Sequence, residues 1–498
     1  MTIDFFNTLD RQQPEILLIP VANDNHYDES LQSIAAMTKL EIALIEKGFK
    51  AELGETLPLF AQGKRIYLLG LGNKPSFQEI LKVFRSFAHK TRQKLTPIIG
   101  VSFKHQNLPT GFPAWVEAIT NGLMLGTYQI GKFKSEQDNS HPLAVPESKL
   151  LFDIDETHKD RAREAADKGL AIAETQLRIF DLVNAPSNKK LPSDLAAWAV
   201  QSGKAYNYSV EVFDMKKIQA VGLHALLAVN RGSEYPASFI IMEYKPKGAK
   251  QLKKIGLVGK GVTFDTGGLS IKPSTNMHYM KSDMSGAGAV FGAMEAAAKL
   301  KLPVHLIGIV PATDNSVDAT AIKPSDVIES YSGKTIEIID TDAEGRLILA
   351  DGLAYMNRHF KPDVMIDLAT LTGSAVRTFG YQVAALFSNN DQLANQLSQV
   401  SESSGEWVWR LPIWDIYKDD LKSDVADIRN FSGKPLAGAI MAAKFLEAFT
   451  GEHPCWAHLD IAGVAFNDSE FSTQKSSTAY GVRLLTELVK LLGEQGKG

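Results

Sequence analysis

The sequence predicts an α/β protein with a smaller N-terminal α/β domain and a larger C-terminal α/β domain, whose central mixed sheet is covered by helices. Apolar runs typical of strands alternate with amphipathic stretches typical of helices along most of the 498 residues. Residues 132–149 are polar and non-periodic, as in a linker. Residues 157–182 have the pattern of one long bridging helix. We therefore predict domains at residues 1–160 and 161–498.

The elements of the N-terminal domain follow from hydrophobic periodicity. Strands are predicted at residues 14–22, 64–72 and 97–103, and helices at residues 30–47 and 77–94. Gly70 and Gly72 resemble part of a dinucleotide-binding fingerprint, but Pro75 stands where its third glycine belongs. A dinucleotide site is therefore not expected here.

The C-terminal domain shows the same alternation over a longer stretch. Strands are predicted at residues 225–229, 238–244, 254–264, 304–310, 335–339 and 364–368, with helices between them such as residues 285–301 and 347–357. Six or more strands with intervening helices predict a largely parallel or mixed sheet with both faces covered.

Composition narrows the class of protein and its partners. A net charge of −4 gives no electrostatic reason to expect nucleic acid or an anionic membrane as a partner. No run reaches the roughly 18 apolar residues of a membrane span, and the amino terminus lacks the pattern of a signal peptide. The single cysteine, Cys455, excludes an intramolecular disulfide. We expect a cytoplasmic protein.

Acidic residues gather where predicted strands end in the C-terminal domain. Asp342 and Glu344 follow one strand, Asp265 closes another, and Asp283 precedes a run of small residues. Ligands of open α/β sheets bind beyond the carboxyl ends of strands, although a solvated acidic turn explains the first pair equally well on its own. Converging carboxylates repel one another unless cations hold them. If these four acids converge, they predict a metal site.

Other catalytic motifs fail their tests. Gly259-Lys260 and Gly333-Lys334 both lack the first glycine of a phosphate-binding loop. No H-E-x-x-H or G-x-S-x-G motif is present. Carboxylates suit Mg²⁺ and Mn²⁺ and are also accepted by Zn²⁺. Four acids can bridge two ions that activate a water, while Lys272 or Arg346 stabilises a developing oxyanion. The residues alone predict metal-assisted hydrolysis.

Several motifs resemble the leucyl aminopeptidase family of dinuclear-metal exopeptidases, also known as cytosol aminopeptidases. The segment 340–347, D-T-D-A-E-G-R-L, matches seven of the eight positions of the family signature N-T-D-A-E-G-R-L. The likeness extends over about residues 180–490 and includes G-K-G-V-T-F-D-T-G-G from Gly259, M-K-S-D-M from Met280 and A-T-L-T-G from Ala369. The resemblance implies a catalytic function for the C-terminal domain.

The resemblance implies a set of site residues by position. Those implied to bind metal are Lys260, Asp265, Asp283, Asp342 and Glu344, with Asp265 and Glu344 bridging two ions. Those implied to be catalytic are Lys272, which polarises the scissile carbonyl, and Arg346, which holds a bicarbonate ion acting as the base. Those implied to bind substrate are Met280, Asp283, Thr370, Leu371 and Gly373.

The implied activity is release of amino-terminal residues, preferably leucine and similar apolar residues, from peptides with a free amino terminus. Two divalent ions per subunit are implied, Mn²⁺ or Zn²⁺ with Mg²⁺ as a third candidate, together with a homohexamer. Asp340 departs from the family asparagine and adds charge near the ions unless its side chain only forms the turn. The alternatives are a catalytically silent binding or regulatory protein on the same fold and a different two-metal hydrolase.

Overall fold

In the computed structural model, strands and helices alternate as the sequence predicts. The structure describes residues 1–6, 14–104, 111–136, 140–248 and 251–495. The chain forms two compact units, Met1–Leu177 and Arg178–Gly498. The division falls within the helix Lys159–Asn184, so this helix contributes to both units.

The first unit contains six strands, four helices and the start of a fifth. The strands are β1 Thr2–Phe5, β2 Ile16–Val21, β3 Thr56–Ala61, β4 Lys64–Gly70, β5 Ile98–Ser102 and β6 Lys149–Asp153. The helices are α1 Tyr27–Thr38, α2 Ile42–Gly48, α3 Phe77–Thr91, α4 Phe112–Leu125 and α5 Lys159–Asn184, with short 3₁₀ helices at Arg92–Lys94, Pro142–Ala144 and Glu156–His158.

The strands of the first unit form one sheet in the order β1-β6-β5-β2-β4-β3, in which only β3 runs antiparallel to its neighbour. The predicted helix at residues 30–47 is two helices. Lys39, with φ 59°, is left-handed between them and ends α1. The hydrophobic pattern of residues 30–47 is continuous, so it did not predict this break. Periodicity does not detect a single residue in the left-handed conformation.

The second unit has fourteen strands and nine complete helices in the described residues. The strands are β7 Ser209–Phe213, β8 Ser238–Tyr244, β9 Lys254–Gly259, β10 Gly261–Asp265, β11 His305–Asn315, β12 Val327–Glu329, β13 Thr335–Glu337, β14 Val364–Ala369, β15 Ala384–Ser388, β16 Val408–Arg410, β17 Ile428–Arg429, β18 Trp456–Asp460, β19 Phe466–Asp468 and β20 Ser476–Ser477. The helices are α6 Pro192–Tyr206, α7 Met215–Val221, α8 His224–Asn230, α9 Ser285–Lys299, α10 Glu344–Phe360, α11 Gly373–Phe379, α12 Asp391–Ser404, α13 Gly438–Glu447 and α14 Val482–Gln495, with 3₁₀ helices at Ser187–Lys189, Met277–Ser282 and Asp415–Leu421.

The main sheet of the second unit is mixed, as predicted. Its order is β16-β15-β18-β14-β9-β11-β8-β7, and β10 pairs with the end of β11. Strands β18, β14, β9 and β11 run parallel at its centre, while β15, β8 and β7 add antiparallel pairs. The next two strands after β9 in this core, β11 and β14, lie on opposite sides of it. Such a reversal of strand order opens a crevice at the carboxyl ends of the strands.

One predicted strand is wrong. Residues 225–229 lie in α8, and the main-chain N–H of Leu226 donates to the buried carboxylate of Asp351 at 3.0 Å. A five-residue apolar run fits a buried helix as well as a buried strand, so its periodicity could not decide. The predicted strand 254–264 is also divided, because Lys260 separates β9 from β10.

Small residues bring α9 close to the centre of the main sheet. A Cβ added to Gly286 would lie 2.2 Å from the carbonyl oxygen of Leu368, and one added to Gly259 would lie 2.6 Å from the carbonyl oxygen of Gly286. Only glycine permits this backbone approach. Among the described residues, no helix combines the length and apolar character needed to cross a bilayer.

Candidate metal centre

Lys260 occupies the break between β9 and β10 and points into an acidic cluster. Its side chain is 4% exposed, and its Nζ lies 2.8 Å from Asp283 Oδ2 and 2.8 Å from Glu344 Oε1. The same ammonium donates a hydrogen bond to the carbonyl oxygen of Thr370 at 3.0 Å. The next residue after Glu344 is a glycine, at which a Cβ would lie 2.6 Å from Lys260 Cε. The small residue makes room for the lysine.

Asp265 ends β10 and is held by two hydrogen bonds. Its Oδ1 accepts from the main-chain N–H of Gly267 at 2.9 Å and from Asn315 Nδ2 at 2.8 Å. Its Oδ2 lies 2.8 Å from Lys272 Nζ. One carboxylate oxygen is therefore fixed by neutral donors, while the other faces the cationic side of the cluster.

Asp342 and Glu344 enter the cluster from the turn that begins α10. One carboxylate oxygen from each of these two residues and from Asp265 lies within 4.8 Å of the others, and Asp342 also forms an ion pair with Lys272. The turn is held by Thr341, whose hydroxyl donates to the carbonyl oxygen of Gly267 at 2.7 Å. Three of the predicted metal ligands thus converge.

Asp283 joins the cluster beside the chain that leaves β14. Thr370 Oγ1 donates to Asp283 Oδ1 at 2.8 Å. Leu371 follows, and its main-chain N–H donates to the buried Asp460 at 3.2 Å, while Gly373 begins α11 nearby. Met280 lies in the 3₁₀ helix directly before Asp283 and is partly exposed. Of the predicted substrate residues, Asp283 and Thr370 thus contact the acidic cluster, and Met280, Leu371 and Gly373 lie close to them in the chain.

Burial shifts the pKa values of the acids and lysines in the cluster. It is the largest cause of the raised pKa of Asp283, of Glu344 and of Asp342, whose pKa reaches about 7, and neighbouring carboxylates raise each of them further. Burial lowers the pKa of Lys260 and of Lys272, but the surrounding acids outweigh it and hold both values above the ordinary lysine value. The two lysines compensate only part of the repulsion.

The donor set fits divalent cations. Glu344 Oε2 is buried and makes no hydrogen bond within the described chain, although such an atom is costly to leave without a partner. Three carboxylates at close range supply the oxygen ligands that Mg²⁺, Mn²⁺ and Zn²⁺ accept. The residues that could hold such ions are Lys260, Asp265, Asp283, Asp342 and Glu344.

Arg346 lies in the first turn of α10 and is buried. Its Nη1 donates to the carbonyl oxygen of Asn430 at 2.8 Å, and burial lowers its pKa to about 10. Its Nε makes no hydrogen bond within the described residues. A buried guanidinium with an unused donor is suited to hold a small anion.

Four supporting residues were missed by the sequence analysis. Asn315, Asn430 and Asp460 form hydrogen bonds with predicted site residues, and Thr341 bonds Gly267 in the turn after Asp265. Asn315 ends β11 and Asp460 ends β18, so the rule that identified Asp265 could also have identified these two. Asn430 follows a two-residue strand that carries no comparable signal.

An open mixed α/β sheet with clustered carboxylates beyond its parallel strands defines a metal-dependent hydrolase. Family models agree and are more specific: that of the cytosol aminopeptidase family catalytic domain matches residues 179–486, and that of the N-terminal domain of the same family matches residues 18–137. The chain belongs to the cytosol aminopeptidase family, which confirms the resemblance and makes it a metal-dependent aminopeptidase.

Individual relatives match over nearly the whole chain. A probable cytosol aminopeptidase of Chloroherpeton thalassium is 42% identical and the match covers 97% of this chain and 98% of the relative. Another of Chlorobaculum tepidum is 44% identical, with 90% and 92% covered. The solved structure of the bottromycin maturation enzyme BotP in complex with Mn has 31% identity and a TM-score of 0.82, with 96% of this chain and 99% of that chain covered.

Proposed function

We propose that the protein is a leucyl aminopeptidase that hydrolyses the amino-terminal peptide bond of peptides, with a preference for leucine and similar apolar residues, using two divalent cations. The observation that carries the proposal is the convergence of Asp265, Asp342 and Glu344 within 4.8 Å beside buried Lys260 and Asp283. Several carboxylates buried at one place repel one another unless cations hold them.

The five ligand positions divide between two ions in this proposal. Asp265 and Glu344 would hold both ions, Asp342 would contribute to one of them, and Lys260 with Asp283 would contribute to the other. A pair of divalent ions supplies a water of lowered pKa and polarises the scissile carbonyl. Lys260 would have to lose its proton to act as a ligand, so ion binding would release a proton.

The remaining residues bind and orient the substrate. Lys272 donates to the carbonyl oxygen that becomes an oxyanion, since its flexible side chain already reaches Asp265 and Asp342. The free amine of the substrate lies near Asp283, which explains a requirement for an unblocked amino terminus. The first side chain of the peptide lies near Met280, in a site bordered by Thr370, Leu371 and Gly373. Apolar Met280 and Leu371 favour leucine.

Arg346 would hold a bicarbonate ion, which would supply a base for the attacking water. Support comes from the buried Nε of Arg346, which lacks a hydrogen-bond partner among the described residues, and from its position two residues after Glu344. The nearby charges of Glu344, Asp340 and Asp460 raise the pKa of Arg346 against the effect of burial, which keeps its guanidinium charged. An anion in this place suits proton transfer near neutral pH.

The metal and the assembly are part of the same proposal. Mn²⁺ or Zn²⁺ are the preferred candidates and Mg²⁺ is the third; BotP, the structural relative, was solved with Mn. We also propose a homohexamer in the cytoplasm, by likeness to the family, and a domain boundary near residue 160. That position lies between the two segments that the family models match, 18–137 and 179–486.

The test compares leucine-p-nitroanilide with its N-acetylated form after chelation and after adding back each ion. We expect metal-dependent cleavage of the free-amine substrate alone. Asp342→Ala should lower kcat/KM by at least about 100-fold, because metal-site geometry commonly controls this much activity. Asp424→Ala removes an exposed acid and serves as the matched control.

The opposite outcome has a definite meaning. Folded, metal-loaded protein that cleaves no free-amine substrate would refute the enzyme proposal and favour the silent binding protein on the same fold. Ester hydrolysis without peptide hydrolysis would instead favour a different two-metal hydrolase.

A further inference from the structure

Lys190 is a fully buried lysine outside the acidic cluster. It is 0% exposed, and its Nζ donates to two main-chain carbonyl oxygens, that of Val183 at 3.0 Å and that of Lys281 at 2.5 Å. No carboxylate forms an ion pair with it in the described chain. A buried amine is costly, so a lysine in this position needs these hydrogen bonds to be retained.

The two carbonyl groups belong to different elements. Val183 lies in the last turn of α5, where carbonyl groups lack partners within the helix. Lys281 lies in the 3₁₀ helix Met277–Ser282, and its own Nζ donates back to the carbonyl oxygen of Asn184 at 3.1 Å. Lys190 therefore joins the end of α5 to the 3₁₀ helix from outside both elements, and Lys281 joins the same two elements directly.

This 3₁₀ helix carries two residues of the proposed site. Met280 lies within it, and the main-chain N–H of Asp283 donates to the carbonyl oxygen of Met280 at 3.2 Å. A 3₁₀ helix has poor hydrogen-bond geometry and holds its own shape weakly. The position of Asp283 therefore depends on contacts from outside the helix, and Lys190 provides a buried one.

We propose that Lys190 is a positioning residue for the reaction: by bonding the carbonyl of Lys281, it fixes the 3₁₀ helix that presents Met280 to the substrate and Asp283 to one ion. This inference rests on the proposed function. The alternative is that Lys190 only caps the C-terminal end of α5. Capping alone affects stability, whereas positioning also changes metal affinity and substrate binding.

The test is Lys190→Met, which keeps the length and apolar stem of the side chain and removes the hydrogen bonds. Calorimetric titration with Mn²⁺ should show one of two sites weakened by about tenfold or more and the other nearly unchanged, the effect typical of losing a group that orients a ligand. With leucine-p-nitroanilide at saturating Mn²⁺, KM should rise more than kcat falls. The matched control is Lys189→Met, at the exposed neighbouring position.

The outcomes separate the two proposals. Wild-type protein without aminopeptidase activity refutes the proposed function, whatever Lys190 does. Active wild type, with a folded Lys190→Met variant of unchanged Mn²⁺ affinity and unchanged KM, overturns the positioning role even if the variant melts earlier. If the Met variant does not fold, Lys190→Gln takes its place, because its side chain is one atom shorter and keeps a neutral donor. The same selective weakening in this variant supports the proposal, and wild-type Mn²⁺ affinity with wild-type KM overturns it.

Discussion

Replacing Gly345 with alanine should damage the metal centre while leaving most of the stability intact. The added Cβ would lie 2.6 Å from Lys260 Cε and 2.7 Å from Lys260 Nζ. Carbon atoms in ordinary contact are about 3.5–4.0 Å apart, so the overlap is roughly 1 Å. The lysine can move away from the added Cβ only by disturbing its ion pairs, because its Nζ lies 2.8 Å from carboxylate oxygens of both Asp283 and Glu344.

Two magnitudes decide the expected result. Overpacking costs about 1–3 kcal/mol, while glycine to alanine in a helix returns up to about 1 kcal/mol, so we expect a net loss of roughly 1–2 kcal/mol. Rotation of the flexible lysine relieves the overlap but moves Nζ by about 1 Å. A misplacement of that size in a catalytic site costs about 100-fold in rate. The effect on activity should therefore exceed the effect on stability.

The assay measures urea unfolding and kcat/KM for leucine-p-nitroanilide at saturating Mn²⁺. Gly352→Ala is the matched control, because it lies in the same helix and its Cβ would meet Val258 Cγ1 at 2.8 Å, away from the cluster. It should lose comparable stability and keep kcat/KM within about threefold, as expected for packing changes that are relieved locally.

The reasoning fails if Gly345→Ala has wild-type kcat/KM and wild-type Mn²⁺ affinity. In that case the close approach to Lys260 would place no constraint on the centre, and Lys260 would have no role as a ligand.

Three further predictions address the surroundings of the centre. Asp340→Asn should keep kcat/KM within about threefold, because Oδ1 of either residue can accept from the N–H of Asp342, now at 2.8 Å; a loss of about 100-fold would show that the charge itself matters. Asp460→Ala should lower kcat/KM by about 10–100-fold through the loop at Leu371, and retention of full activity in the same assay would contradict this. Burial raises the pKa of Glu406 to about 7, above its value in the unfolded chain. Between about pH 4.5 and 7 the folded protein therefore binds more protons than the unfolded chain, and its stability falls as pH rises through this window. Glu406→Gln removes that dependence and should be more stable than wild type at pH 8 by about 1–3 kcal/mol but not at pH 4; equal unfolding midpoints at both pH values would refute the assignment.

The sequence contained enough information to predict the mixed sheet and the acids beyond its strands. Longer apolar runs, such as that of β8, were placed correctly, and the carboxylates at the end of β10 and at the start of α10 stood out because they follow predicted strands. The run at residues 225–229 failed because five apolar residues fit either structure, and long-range contacts with Asp351 favour the helix.

Other features depend on contacts that no local pattern carries. No local pattern predicts the contacts of Lys190 and Lys281, yet the first is fully buried and the second bonds the end of α5. Asn315 supports Asp265 from a segment 50 residues further along the chain. The pairing of β10 with β11 brings Asn315 and Asp265 together, and that pairing is a property of the folded sheet.

The order in which the central strands occur in the chain determines when the site can form during synthesis. β9 pairs with β11 and β14, and β14 pairs with β18, which ends at Asp460. The residues of the acidic cluster are all translated before β18 leaves the ribosome, but the loop at Leu371 has no Asp460 to hold it until then. Sheets built from distant segments assemble late. A chain that has not been translated through β18 therefore contains every residue of the acidic cluster but lacks the residue that positions the loop at Leu371, and the site is complete only after β18 has joined the sheet.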